Sequence, residues 1–273
     1  MKYLSMILLS MTLLSACSEN IFDEFADKDT DEAVFFQAKQ SLNARNYTEA
    51  INLLESLDPA FLTDRARVPI YASAYSGRCG LEFLTLLNTM QNTGAATVIG
   101  TLMGAFPGAQ AANIQDCIRS EEIVEALGEV GDRTNDENLL MAFNALAKIG
   151  AILSTFADTD DDAVADAGFD QCDVNDISDE MVREIGASIA VTVVSLGAIG
   201  TSYIDDSLAD VNALCALDAS LGRFCSITDP LEFLDPEVQA LRYAIGSNDF
   251  GIDSCGGNDF TNCPVAQPPP CGV

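Results

Sequence analysis

The sequence predicts an all-α protein. Apolar residues recur at helical spacing through most of the chain, alternation of β-branched residues is nearly absent, and two long uncharged stretches exceed the length of ordinary strands. The prediction extends to helical hairpins that continue into an array or bundle around a buried apolar helix. Disulfides brace the whole, and an irregular tail closes the chain.

The elements follow in order. Residues 31–42 place Ala33, Phe36, Ala38 and Leu42 on one helical face, with Phe35 beside them. Asn43-Ala44-Arg45-Asn46 reads as a tight turn. A second helix carries Tyr47, Ala50, Ile51, Leu53, Leu54 and Leu57, and stops at Asp58-Pro59 because a residue before proline is pushed out of the helical region. A further helix starts within residues 66–84, with Ala72, Tyr75 and Gly80 at comparable offsets. Phe83 to Gln115 holds no charge and is broken by Gly94, Gly100, Gly104, Pro107 and Gly108, which predicts two short buried helices joined near Phe106-Pro107-Gly108. A helix through Glu121, Glu122, Ile123, Val124, Leu127 and Val130 comes next, then another over 138–156.

Ile185 to Ile204 is the second uncharged run. Its length alone would allow a membrane span. Ser188, Thr192, Ser195, Gly197, Gly200, Thr201 and Ser202 dilute its hydrophobicity, so it reads as the buried central helix. Ser178-Asp179-Glu180 opens that helix, with acids at the positive end of its dipole. Residues 206–217 and 236–245 read as further helices. Residues 250–273, with Cys255, Cys263, Cys271 and Pro268-Pro269-Pro270, read as an irregular coil stapled to the body.

The first hairpin resembles a tetratricopeptide repeat. The matching residues are Ala38 in the first helix, Tyr47 after the turn, Glu49-Ala50-Ile51, and Leu54 and Leu57 facing inward. Small Ala38 and Ala50 let the two helices approach closely. Residues 66–84 continue the resemblance weakly, without a Glu-Ala-Ile in their second helix. The resemblance implies stacked hairpins over 31–84 within an all-helical domain spanning 31–249, and a concave surface that binds other proteins.

The N-terminus carries a different signature. Lys2 precedes an apolar run from Leu4 to Leu14, and Leu14-Ser15-Ala16-Cys17 follows. A basic start, a short apolar core and small residues at the cut describe a secretory signal. Leu14-Ser15-Ala16-Cys17 resembles the lipobox of bacterial lipoproteins. That resemblance implies a signal peptide over 1–16, cleavage before Cys17, and acyl chains of the palmitate type on its thiol and amine. Several chains suffice for stable anchoring where one is marginal. Ser18, in place of an aspartate after the cysteine, implies the outer membrane, with the folded part on the periplasmic face. Residues 17–30 form an acidic tether.

Composition narrows the chemistry. Forty-two acidic residues against 13 basic ones give a net charge of −29. Such a surface repels nucleic acid, whose binding depends on Lys and Arg at phosphates. The absence of histidine excludes Ser-His-Asp and Cys-His catalysis and histidine metal sites. No nucleophile–base pair is visible, and no catalytic residue is assigned. Setting aside Cys17 leaves Cys79, Cys117, Cys172, Cys215, Cys225, Cys255, Cys263 and Cys271. An even number in an exported chain reads as disulfides, whose pairing sequence cannot give.

Asp158, Asp160 and Asp162, with Asp166 beyond, resemble the start of a calcium loop in which alternate oxygens wrap a hard cation. Ala163 stands where that loop wants glycine, and Phe169 where it wants a bidentate glutamate. The same residues also suit a solvated acidic loop with no cofactor.

Two functions follow as expectations. The first is a membrane-anchored, non-enzymatic scaffold that binds an envelope protein. The second is a periplasmic binding module for a lipid or other apolar molecule, associated with envelope transport and drawing on the uncharged helices. A filled core separates the first from the second, which needs an apolar pocket of roughly 300 Å³ or more. The anchor has a direct test: Cys17→Ala should move the chain from the membrane to the soluble fraction, and retention in the membrane would refute lipidation.

Overall fold

A computed structural model describes residues 29–91, 97–200, 225–247 and 251–252. Among these residues the chain is helical and contains no strand. The helices are α1 Asp31–Asn43, α2 Tyr47–Glu55, α3 Pro59–Leu62, α4 Val68–Cys79, α5 Phe83–Gln91, α6 Val98–Gly104, α7 Ala111–Glu125, α8 Asn135–Ala157, α9 Asp179–Ile199 and α10 Asp235–Gly246. A single 3₁₀ turn, Pro230–Glu232, precedes α10.

Local chemistry sets the ends. Thr30 caps α1 by accepting the Ala33 N–H, and Ser178 caps α9 by accepting that of Met181. Thr134 and Glu137 form a reciprocal capping box at the start of α8. Gly80 ends α4 at φ 109°, a left-handed conformation that costs glycine nothing.

The spatial order is α1, α2, α4, α7, α8, α9, each packed on the next. The first hairpin forms as expected, with Ala38 and Ala50 fully buried at its seam. Helix α4 does not pair with the helix that follows it. Its main neighbour is α7, and Cys79 and Cys117 join the two helices at a Cα separation of 5.1 Å. Closing a loop 38 residues long removes unfolded-state entropy equivalent to about 4 kcal/mol in the chain-entropy account. Arg78 adds a two-pronged ion pair to Asp116 across the same seam, at 2.8 and 2.7 Å. At the other side of the array, Arg65 grips Glu137 and the Asp132 carbonyl.

The uncharged stretch after Phe83 departs from two buried helices. It forms α5 and α6 and then runs into α7 past the Phe106-Pro107-Gly108 bend. Only α6 is well buried, whereas Leu84 on α5 is 78 % exposed. Helix α7 begins within the uncharged stretch and ends at Glu125, leaving Leu127 and Val130 in the loop beyond it.

Helices α8 and α9 form the most extensive packing of the fold. Both are long and apolar enough to cross a membrane by length and composition, yet 67 % and 56 % of their most apolar windows are buried within the protein. The run that begins at Ile185 is thus a core element, and α8 shares the centre with it. Helix α10 docks on α9 through Arg242, which is fully buried and donates to the carbonyls of Gln171 and Ile177 and to Asp179. Cys172 and Cys225 are disulfide-bonded as well. Cys17, Cys215, Cys255, Cys263 and Cys271 lie outside the described residues. So do residues 201–204 of the second uncharged run, the helix expected over 206–217, and nearly all of the tail.

Contact between α6 and α8 depends on Gly150. A Cβ there would lie 2.6 Å from the Leu102 carbonyl oxygen and would run into the Phe106 ring. Gly150→Ala should therefore destabilise the fold by about 1–3 kcal/mol, read as a lower urea midpoint, although alanine is the better helix former.

Candidate functional site

Helices α7, α8 and α9 bring three charges together in the core. Lys148 is 3 % exposed and donates to Glu121 of α7 and, at 2.7 Å, to Glu184 of α9. The two carboxylates are themselves buried. Lys148 is the only charged residue between Glu137 and Asp158, in a helix whose other charges, Asp136 and Glu137, lie in its first turn. Glu184 stands at the threshold of the uncharged run that begins at Ile185. Sequence reasoning passed over both. The signal available was one lysine within an otherwise uncharged stretch of 20 residues, 138–157, which must either find carboxylates or lose its charge when that stretch is buried.

Two acids and one base leave the site one negative charge in excess. Burial pushes the Glu121 carboxyl up to about 7; Lys148 pulls it down, and Glu184 and Glu125 push it further up. Its second oxygen, Oε1, is buried without a hydrogen-bond partner. A proton on that carboxyl brings the three groups close to electrical balance. Lys148 keeps its proton because two carboxylates face it, outweighing its own burial.

A neutral network continues the polar line toward α4. Ser76 Oγ donates to Asn144 Oδ1 at 2.6 Å, Asn144 Nδ2 donates to Ser120 Oγ at 2.8 Å, and Ser120 Oγ donates to the Ala72 carbonyl at 2.9 Å. On α9, Ser188 and Thr192 return their hydroxyls to carbonyls one turn back. This line is enclosed by helices, so it organises the core and offers no open surface for chemistry.

The acidic loop after α8 is built inward. Asp158 is buried and accepts the backbone N–H groups of Asp162 and Ala163. Asp166 accepts from the Thr159 amide and hydroxyl. Ala163, where the calcium pattern wants glycine, does take the left-handed conformation, at φ 65°, and Asp161 does so at 61°. One oxygen each of Asp158, Asp160 and Asp166 lies within 4.8 Å of the others. Asp162 turns its carboxylate to the Val164 amide instead. The loop thus gathers three of the four expected aspartates, and hydrogen bonds to its own backbone already hold it closed.

An open groove of about 520 Å³ lies between the end of α2, α3, α4 and α7. Leu57, Leu62, Tyr71, Ile123 and Leu127 give it an apolar lining. Glu55, Arg119 and Glu122 stand at its margin, with Arg119 paired to Glu122 at 2.7 Å. The Tyr75 hydroxyl donates to Glu55, which fixes α4 against α2 beside the groove.

Fold and geometry define an all-α protein with a charged core and surface clefts. Comparison with protein-family models, with curated proteins and with solved structures finds no match to this chain.

The charged core carries a pH signature. Between about pH 4.5 and about pH 7, folded Glu121 holds a proton that the unfolded chain has already released. Unfolding in that window releases a proton, so the contribution of Glu121 to stability should fall as pH rises through it and level off above. Glu121→Gln should abolish this slope in the variant, so the difference between wild-type and variant unfolding free energies should itself change with pH across the window. A parallel pair of pH profiles would refute the assignment.

Proposed function

We propose that this chain is a lipid-anchored lipoprotein of a bacterial cell envelope. It is held by Cys17 in the outer membrane toward the periplasm and acts as a non-enzymatic helical scaffold for another envelope protein. The observation that supports this reading is the apolar groove between the first hairpin and the α4–α7 pair. The groove lies beside the hairpin of residues 31–55, the part of the chain that resembles a tetratricopeptide unit, and α7 supplies its other wall. A helix partner that lays apolar side chains into a groove supplies binding of this kind. The chain's net charge of −29 favours a partner with basic residues around that apolar face.

The alternative, a carrier for lipid, draws on the amount of uncharged helix. Against it, the apolar faces of α8 and α9 are turned toward one another and toward α6, α7 and α10, and the groove itself is open.

Crosslinking in intact cells with the anchor in place, followed by mass spectrometry, tests the reading. A basic envelope protein should be captured reproducibly and lost with Leu62→Asp or Leu127→Asp. Both positions are only partly buried, so the variants should keep the fold, checked by circular dichroism. Stoichiometric lipid with no protein partner would overturn the scaffold in favour of the carrier.

A further inference from the structure

Helix α5 carries apolar residues on its outside. Leu86 faces the core, whereas Phe83 and Leu84 are exposed and Leu87 is half-buried. Positions 83, 84 and 87 are three and four apart, so their side chains share one side of the helix. The Phe83 ring meets Phe143 of α8 edge-on, with centroids 4.6 Å apart. On α8, Leu139, Phe143 and Leu146 repeat at the same spacing and are all half-buried. The two helices thus present one apolar face, joined at the Phe83–Phe143 contact.

Charge sets this face apart from the rest of the surface. The chain has 42 acidic residues, yet none falls between Phe83 and Gln115 or between Asn138 and Ala157. The acid just before α5, Glu82, is paired with Arg45 at 2.6 Å. Anionic lipid headgroups repel an acidic surface. An uncharged apolar face can approach a bilayer closely and sink its side chains into the boundary between headgroups and acyl chains.

The anchor would bring a bilayer within reach. Residues 17–30 span at most about 50 Å when extended. Helix α1 follows and, with 13 residues, is about 20 Å long. Just past its far end Arg45 grips Glu82, the residue before α5. The start of α5 therefore lies about one helix length from the point where the tether joins the fold, well inside the reach of that tether.

We propose that the face formed by α5 and the adjoining residues of α8 rests on the phospholipid bilayer that holds the anchor, with Leu84 and Leu87 entering the headgroup boundary. The inference rests on reading Cys17 as the anchor, and it fixes which side of the fold turns to the membrane.

The chain has no tryptophan, so Leu84→Trp places a single fluorophore on this face. Leu231→Trp places one elsewhere, at an exposed position on the 3₁₀ turn that packs against α9. The chain from residue 17, carrying Cys17→Ala and an N-terminal hexahistidine, is held on vesicles of phosphatidylethanolamine and phosphatidylglycerol by nickel-chelating lipid. That attachment replaces the natural anchor, so the outcome depends on the face alone, while fractionation of Cys17→Ala cells tests the anchor by itself. On vesicles the emission of Leu84→Trp should shift to the blue and be quenched by lipids brominated in their acyl chains, and that of Leu231→Trp should show neither change. Leu84→Asp alters an exposed side chain, so it should keep the fold by circular dichroism. It should weaken retention on the vesicles at intermediate imidazole at least about tenfold, the loss expected when a two-point attachment gives up a leucine-sized apolar contact. The proposal is overturned if the Leu84→Trp emission on vesicles is unshifted and unquenched, or if both tryptophans are quenched equally. A blue shift already present without vesicles would overturn it as well, because a second copy or another part of the chain would then cover the face.

Discussion

The buried Lys148, with Glu121 and Glu184, is the constraint on which the rest of the structure depends. An ammonium removed from water is tolerable only when carboxylates meet it at hydrogen-bonding distance. Those carboxylates come from different helices, so α7, α8 and α9 must adopt one register in which the three side chains converge. Any other register of these helices would leave a buried charge without its partner, a penalty added to that of disturbing the close packing. The adjoining Ser76–Ser120–Asn144 network carries the same constraint to α4, and from there the Cys79–Cys117 bond and the Arg78–Asp116 pair lock α4 to α7.

Each clasp in the array joins elements distant in sequence. Arg65 reaches Glu137, and Arg242 gathers the loop before α9 onto α10. A chain this acidic has few cations, and several of them serve as such clasps. Their carboxylate partners are drawn from a large surplus, and the remaining acids are left to the surface. That surplus is what makes a basic partner the natural complement of the outer face.

Residues with local physical meaning were legible in the sequence. Ala38 and Ala50 announced a close hairpin seam, and both are fully buried there. Ser178 before Asp179-Glu180 announced a capped helix start, and Ser178 is that cap. The aspartates after α8 read as a solvated acidic loop or the start of a calcium loop; the loop instead buries Asp158 and gathers oxygens of Asp158, Asp160 and Asp166. The charged core was less legible. Glu121 read only as part of a helix, and Lys148 and Glu184 carried no pattern. Nothing in residue order says that these three meet.

By itself the sequence determined that the chain is helical, where many of the described helices begin and end, and that Cys79, Cys117, Cys172 and Cys225 would form disulfides. Those properties rest on periodicity, caps and proline or glycine positions, all of which act within a few residues. Only the tertiary structure decided that α4 pairs with α7 across the α5–α6 excursion and that Lys148 sits between two glutamates. These outcomes balance desolvation against pairing between side chains far apart in the chain. That balance exists only once the helices have packed.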